Sequence, residues 1–298
     1  MAKTREIKRR IKAVGNIKRI TKTMQMIATA RFQASQKRAT AAKPFTRKIA
    51  ELVGELSAAA AAGGSESLSH PLLTAPANNT GRRLVLVITS NRGLCGGYNA
   101  NVLRTANSFI REHGLNNVDV EVVGKKGMAF FRFNGVTVSA SHTQFGDQPS
   151  FESVEELAQQ YMDRFIAGKY DSVHVIYMAF ESMSKQAPRI SQLLPMKNPA
   201  SEQQTAGQAP KAVAAYEFSP DPAELLNELL PMTIKTALFQ AFNEAVVSEQ
   251  IARMVAMKAA TDAAGKMGKE LTRIYNRARQ AAITTELSEI IAGSAALE

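Results

Sequence analysis

Residues 90–99, SNRGLCGGYN, place Gly93, Gly96 and Gly97 between an apolar run and a polar–apolar stretch. A glycine-rich turn that joins a strand to a helix is where backbone N–H groups can cradle a phosphate. The spacing fits neither GxxxxGK[ST] nor GxGxxG, so these glycines are read as a tight strand-to-helix turn. Cys95 in the same stretch has no histidine near it in sequence to activate it, and a small buried residue is the reading that remains. His70, His113, His142 and His174 are too scattered for metal-ligand spacing. Glu155 and Glu156 decorate the start of a helix, Asp262 flanks a helical seam, and no pair of carboxylates has an evident pocket for acid–base work. No catalytic, cofactor-binding or metal-binding residue is assigned.

Charge offers a second kind of chemistry. The 298 residues carry a net charge of +11, and the excess is concentrated near the start. Residues 1–48 hold 15 Lys and Arg against the single acid Glu6. Lys8, Arg9, Arg10, Lys12, Lys18, Arg19 and Lys22 suit DNA phosphates or an acidic protein surface equally well by charge. They lack the aromatic interleaving of single-strand binders and any groove-reading motif. The single cysteine excludes an internal disulfide and favours a cytoplasmic location. No run approaches the roughly 18 apolar residues a membrane span requires, and the basic start lacks the apolar core and cleavage site of a secretory signal.

The elements that must position these residues are unequal in length. Ile7, Ile11, Val14, Thr21, Met24 and Ala28 recur at helical spacing, so a long amphipathic helix is expected from Thr4, as its cap, to about Leu56, kinked or loosened at Pro44. In the middle, RRLVLVITS, DVEVVG, VTVSA and SVHVIYMAF read as strands alternating with helices, with RISQLLP pairing beside the last. Residues 150–170 open with serine and acids and read as a helix. A polar linker, 197–212, and a short VAAYEF strand follow. From Ala223 to Ile291 the pattern is helical almost throughout, too long to stand without a partner helix. Ala260, Ala264, Met267, Leu271, Ile274, Ala278, Ala281 and Thr285 alternate spacings of four and three, the seam of a left-handed coiled coil.

The expected fold class is α/β: a Rossmann-like central domain at 75–218, with long terminal helices at 1–60 and 219–298 forming an antiparallel coiled coil. The expected shape is a rod projecting from a globular foot.

Four stretches carry a resemblance. RRIKAVGNIKRITKTMQMIATARFQASQKR, SNRGLCGGYN, MKAATDAAGKMGKEL and YNRARQAAITTELSEIIAG resemble, in order and position, the gamma subunits of F-type ATP synthases. The resemblance spans the chain. It implies a non-catalytic central rotor shaft that couples proton-driven rotation of a membrane c-ring to ATP synthesis at the beta subunits and regulates ATPase activity and proton flow. The implied partners are the alpha and beta subunits, the epsilon subunit and the c-ring, with no nucleic acid and no cofactor. Membrane association would be peripheral and indirect, at the cytoplasmic face of a bacterial inner membrane; the absence of a transit peptide favours a bacterial source. By the same resemblance, Arg279, Gln280 and Thr284 would engage beta-subunit loops, and Lys22 and Met24 would lie near the acidic lever region of beta. Asn91 stands where an acid is expected in many relatives, which puts that acid's contacts in doubt here. Two other classes of function remain to be separated from this one: a coiled-coil nucleic-acid binder and a small nucleotide-using enzyme.

Overall fold

Val, Leu and Ile fill Arg83–Ile88, and such a run is stable only where both faces of a strand are covered. The computed structural model describes residues 2–62, 70–74, 80–196 and 222–295, and in it this run is β1, the middle strand of a five-stranded sheet. β2 (Val118–Val123) and β4 (Ser172–Phe180) flank β1, both parallel to it. β3 (Val138–His142) extends the sheet in parallel beyond β2, and β5 (Gln186–Leu194) closes the other side antiparallel to β4. The order is therefore β3-β2-β1-β4-β5.

Alternation along β1 separates two cores. Val85 and Val87 point to one face, where they join residues of α2 (Tyr98–His113) and Phe131 of α3 (Lys125–Phe133). Leu84, Leu86 and Ile88 point to the other, against α4 (Phe151–Ile166) and parts of two long helices. These are α1 (Ala2–Ala62), which contributes Ile49, Val53 and Leu56, and α5 (Pro222–Ala295), which contributes Leu226, Leu230, Ile234 and Leu238.

Several boundaries differ from the sequence reading, each for a local reason. α1 runs past Leu56 to Ala62 and is unbroken at Pro44. One missing donor is outweighed where Ala39, Ile49 and Val53 on the same helix are buried. Thr4 lies inside α1, which starts at Ala2, and so is not its cap. β3 starts two residues later than VTVSA suggests. Gly135 takes φ +70, and Val136 N–H donates to the Phe131 carbonyl at 3.0 Å, so these residues close the end of α3 before the strand can begin. Ser150 caps α4 by accepting from Ser153 N–H at 3.3 Å. The linker 197–212 and the VAAYEF segment fall outside the described residues.

β2 carries an acid where a buried strand would ordinarily be apolar. Glu121 is 1% exposed. Its carboxylate accepts from the Tyr161 hydroxyl, from Arg164 and from His142 Nε2, each at 2.8 Å. Burial pushes the Glu121 carboxyl up, but the hydrogen bonds from His142, Tyr161 and Arg164 together outweigh it and hold the group below its ordinary value. At the start of the same strand Asp119 accepts from Arg82 at 2.7 Å and from the Tyr170 hydroxyl at 2.8 Å. Burial first, then that hydrogen bond, pushes Tyr170 up to about 12.

The chain divides into two compact units: residues 1–30 with 253–298, and residues 31–252. Both long helices are shared between them, and each unit has its own packing. The first holds 16 Lys and Arg against 6 Asp and Glu, the second 21 against 20. Nearly all of the net positive charge thus belongs to the first unit.

Candidate functional site

In the first unit, α1 and α5 pair in opposite directions. Thr261 Oγ1 lies 2.8 Å from Thr21 Oγ1, and a Cβ added at Gly265 would meet Lys18 while one at Gly268 would meet Val14. As α5 advances from 261 to 268, α1 retreats from 21 to 14. On α1, Ile7, Val14, Thr21 and Ala28 are buried at seven-residue intervals, as the spacing predicts.

On α5 the seam has a different phase from the expected one. The residues turned inward include Thr261, Gly268 and Tyr275, with Ala260, Ala264, Leu271 and Ala278. Ala260, Ala264, Leu271 and Ala278 belong to the predicted set and are buried or half-buried, but Met267 and Ile274 are 56% and 42% exposed, and Ala281 and Thr285 are exposed too. Reading by hydrophobicity selects the large apolar residues. Where Met267 and Ile274 are exposed, the inward positions are Gly268 and Tyr275, one place later, with Gly268 opposite Val14.

Thr261 is a buried polar pair-member in that seam, and its one hydroxyl proton is shared between Thr21 Oγ1 and the Met257 carbonyl, each 2.8 Å away. Replacement of Thr261 by valine is expected to change the unfolding free energy by no more than about 1 kcal/mol, because Thr21 keeps its bond to the Lys18 carbonyl at 3.1 Å. Thermal unfolding followed by helicity checks it; a larger loss would mean that the pair is worth more than an ordinary hydrogen bond.

The pairing places Thr4 opposite Ala278, so α5 outruns its partner. Beyond that point Ile283, Leu287, Ile290 and Ile291 are all exposed. The first three recur at i, i+4 and i+7, one stripe of a helix with no partner among the described residues of α1. Arg279, Gln280 and Thr284 are exposed beside this stripe, and the Thr284 hydroxyl donates to the Gln280 carbonyl at 3.0 Å. Lys22 is exposed and Met24 half-buried, at the flank of the α1 seam. The sequence reading named polar residues at this end of α5 and passed over the apolar stripe. Its signal was present: isoleucine and leucine at helical spacing past the length that α1 can cover.

In the second unit, the sheet order reverses between β1 and β4, where open α/β sheets hold nucleotides outside the strand ends. Phe242 and Ala245 of α5 and Phe145 pack beside the neighbouring ends of β1 and β2, around a cavity of about 30 Å³ lined also by Ile88, Thr89 and Val123. The glycine turn beside it is closed on itself. Ser90 N–H donates to Asn99 Oδ1 at 3.0 Å, the Ser90 hydroxyl donates to the Arg92 carbonyl at 2.7 Å, and Asn101 N–H donates to the Gly97 carbonyl at 3.0 Å. Of the three glycines only Gly96 has a positive φ, at +55; Gly97 is the N-cap of α2 and Gly93 lies beside the Lys126 side chain. Cys95 is buried, with its sulfur 3.2 Å from Asn99 Nδ2. Asn91 Nδ2 donates to the Phe145 carbonyl at 2.9 Å while its Oδ1 accepts from Lys125 N–H at 3.2 Å. An acid at this position could accept but not donate, so the Phe145 contact depends on the amide.

A family model described as ATP synthase matches residues 3–297. The ATP synthase gamma chain of Rhodopirellula baltica is 43% identical over 100% of both chains, and that of Leptospira biflexa is 41% identical over 100% of both. The chain belongs to the ATP synthase gamma-chain family. Among solved structures, a chain of the Euglena gracilis mitochondrial ATP synthase rotor aligns at TM-score 0.61 and 18% identity, covering 95% of this chain and 99% of that one. Another, from the same organism's assembly of OSCP, F1 and c-ring, aligns at TM-score 0.65 and 19% identity, covering 99% and 95%. Likeness at that identity concerns the fold alone.

Among the described residues no helix is long and apolar enough to cross a membrane. Among the glycines whose surroundings are described, Gly124 and Gly127 are under the tightest steric demand, and the sequence reading passed over both. A Cβ at either would come within 3 Å of Thr89.

Proposed function

We propose that this gamma chain is the non-catalytic central shaft of an F-type ATP synthase, turning inside the ring of alpha and beta subunits and mounted through its α/β unit on the epsilon subunit and the c-ring. The observation that carries the reading is the paired helix of the first unit, whose α5 end continues past its partner with an exposed apolar stripe flanked by Arg279, Gln280 and Thr284. A shaft that meets three similar surfaces in turn cannot bury deep anchors, since each would have to be withdrawn on every step. Small seam residues and shallow contacts suit it. The exposed cations of α1 supply attraction to acidic beta-subunit levers that is modest at each contact and weakened by salt. Catalysis belongs to the surrounding subunits, and the chain sits peripherally at the cytoplasmic face of a bacterial inner membrane.

In this reading Lys22 and Met24 face the levers while Arg279, Gln280 and Thr284 face the beta loops. Met24→Lys is expected to reduce ATP-driven proton pumping several-fold in an assembled enzyme while leaving assembly and ATP hydrolysis nearly intact, because an added cation holds a lever too long. Proton pumping by inverted vesicles, beside ATPase rate and subunit content, is the measurement. Normal pumping by an assembled Met24→Lys enzyme would remove Met24 from the contact.

A further inference from the structure

The segment between β3 and α4, residues 143–150, holds one side chain on which three other elements converge. Asp147 Oδ2 accepts from Arg31 of α1 and, at 2.8 Å, from Arg92 of the glycine turn; Oδ1 accepts from Gln250 of α5 at 3.4 Å. Two residues earlier the Phe145 ring packs on Phe242 of α5, centroids 4.7 Å apart, and the Phe145 carbonyl takes the Asn91 bond. All of these residues belong to the unit 31–252. Arg31 is the first residue of α1 in that unit and Gln250 is two residues from its last on α5. The segment therefore grips both helices at the places where they leave the α/β unit.

Apolar packing lower on the same helices resists their separation from the sheet, but it is not directional. Twisting a helix pair about its axis is opposed by contacts with fixed geometry, and charge-assisted hydrogen bonds are the strong ones of that kind. A half-exposed ion pair adds little to stability. Asp147 differs from such a pair in its position, because one carboxylate ties α1, α5 and the β1–α2 turn to a single point.

We propose that Asp147 is a positioning residue for torque transfer, fixing α1 and α5 against rotation relative to the sheet where they emerge from it. The proposal rests on the shaft reading.

The test uses the intact enzyme held by its alpha and beta ring, with a bead on the c-ring, comparing the native gamma chain with Asp147→Asn, Asp147→Glu and Asp147→Ala. For Asp147→Asn the variance of bead angle during pauses is expected to rise roughly twofold, as ion pairs become bonds to a neutral amide. Pumping against a preformed proton gradient falls, ATP hydrolysis and thermal midpoint stay unchanged, and Asp147→Glu restores the native variance. Should Asp147→Ala fail to assemble, the isosteric amide still reports. Native variance and native pumping in Asp147→Asn would overturn the proposal. A bead that does not turn even with the native chain would instead overturn the shaft reading.

Discussion

Gly124→Ala is expected to cost about 3 kcal/mol or more of folding stability, enough to abolish a stable α/β unit in a protein of ordinary marginal stability. Two effects add. Gly124 has φ +94 and ψ 145, a region that is essentially reserved for glycine. Its added Cβ would also stand 2.4 Å from the Thr89 carbonyl oxygen, a backbone atom just past β1 in a residue tied to the end of β2. The close approach has a purpose in the fold. Thr89 N–H donates to the Val123 carbonyl at 2.9 Å, and the Thr89 hydroxyl donates to the same carbonyl at 2.7 Å while accepting from Gly127 N–H at 2.9 Å. These bonds draw the ends of β1 and β2 together and seat the start of α3. Gly15→Ala is the control: it lies in α1 with no atom within 4 Å of the added methyl, and helix propensity alone should stabilise it by about 0.5–1 kcal/mol. Denaturant unfolding of both variants, monitored by tyrosine fluorescence and helicity, measures the difference. Equal midpoints for Gly124→Ala and the native chain would contradict the described geometry at the β1–β2 ends.

Loss of the Glu121 carboxylate is the second large effect. Glu121→Ala leaves the Tyr161 hydroxyl, Arg164 and His142 without their common acceptor. Removing one partner of a buried ion pair costs about 3–5 kcal/mol. The lower end applies here, because the Arg164 side chain is 35% exposed and can turn to water. The native carboxyl is held below its ordinary value of 4.5, so the sign is fixed. Its contribution is fully present above that pH and disappears as pH falls through the depressed native value. The native chain should therefore lose stability on acidification below about pH 4.5 more steeply than Glu121→Gln, which has nothing to protonate at this position. Thermal midpoints at a series of pH values for the two chains give the comparison; parallel acid curves would assign the native loss to other carboxylates.

Much of the architecture was legible because it follows from period and punctuation. Arg83–Ile88 and Ser172–Phe180 are apolar runs that only a covered sheet can use, and the alternation of strands with helices implied parallel pairing. The antiparallel pairing of the terminal helices followed from their length, and the resemblance of four motifs reached the family. What escaped depends on who the neighbour is. The α5 seam brings Gly268 opposite Val14, a contact between residues far apart in the chain. Glu121 lies in DVEVVG, read only as a strand, and it is buried because Tyr161 and Arg164 arrive from α4 to satisfy it. Asp147 showed no pattern at all, since its partners come from α1, the glycine turn and α5. The glycine cluster that first suggested phosphate chemistry closes its own turn, while the two glycines under the tightest steric demand stand singly in GKKG.

The shaft reading is tested most directly by mixing the full chain with matching alpha and beta subunits and measuring stoichiometry and ATPase rate together. The account predicts a complex with one copy of this chain for three alpha and three beta subunits, and an ATPase rate that changes when the chain is present. Failure to associate in native buffer, with tight salt-sensitive binding to nucleic acid instead, would contradict it.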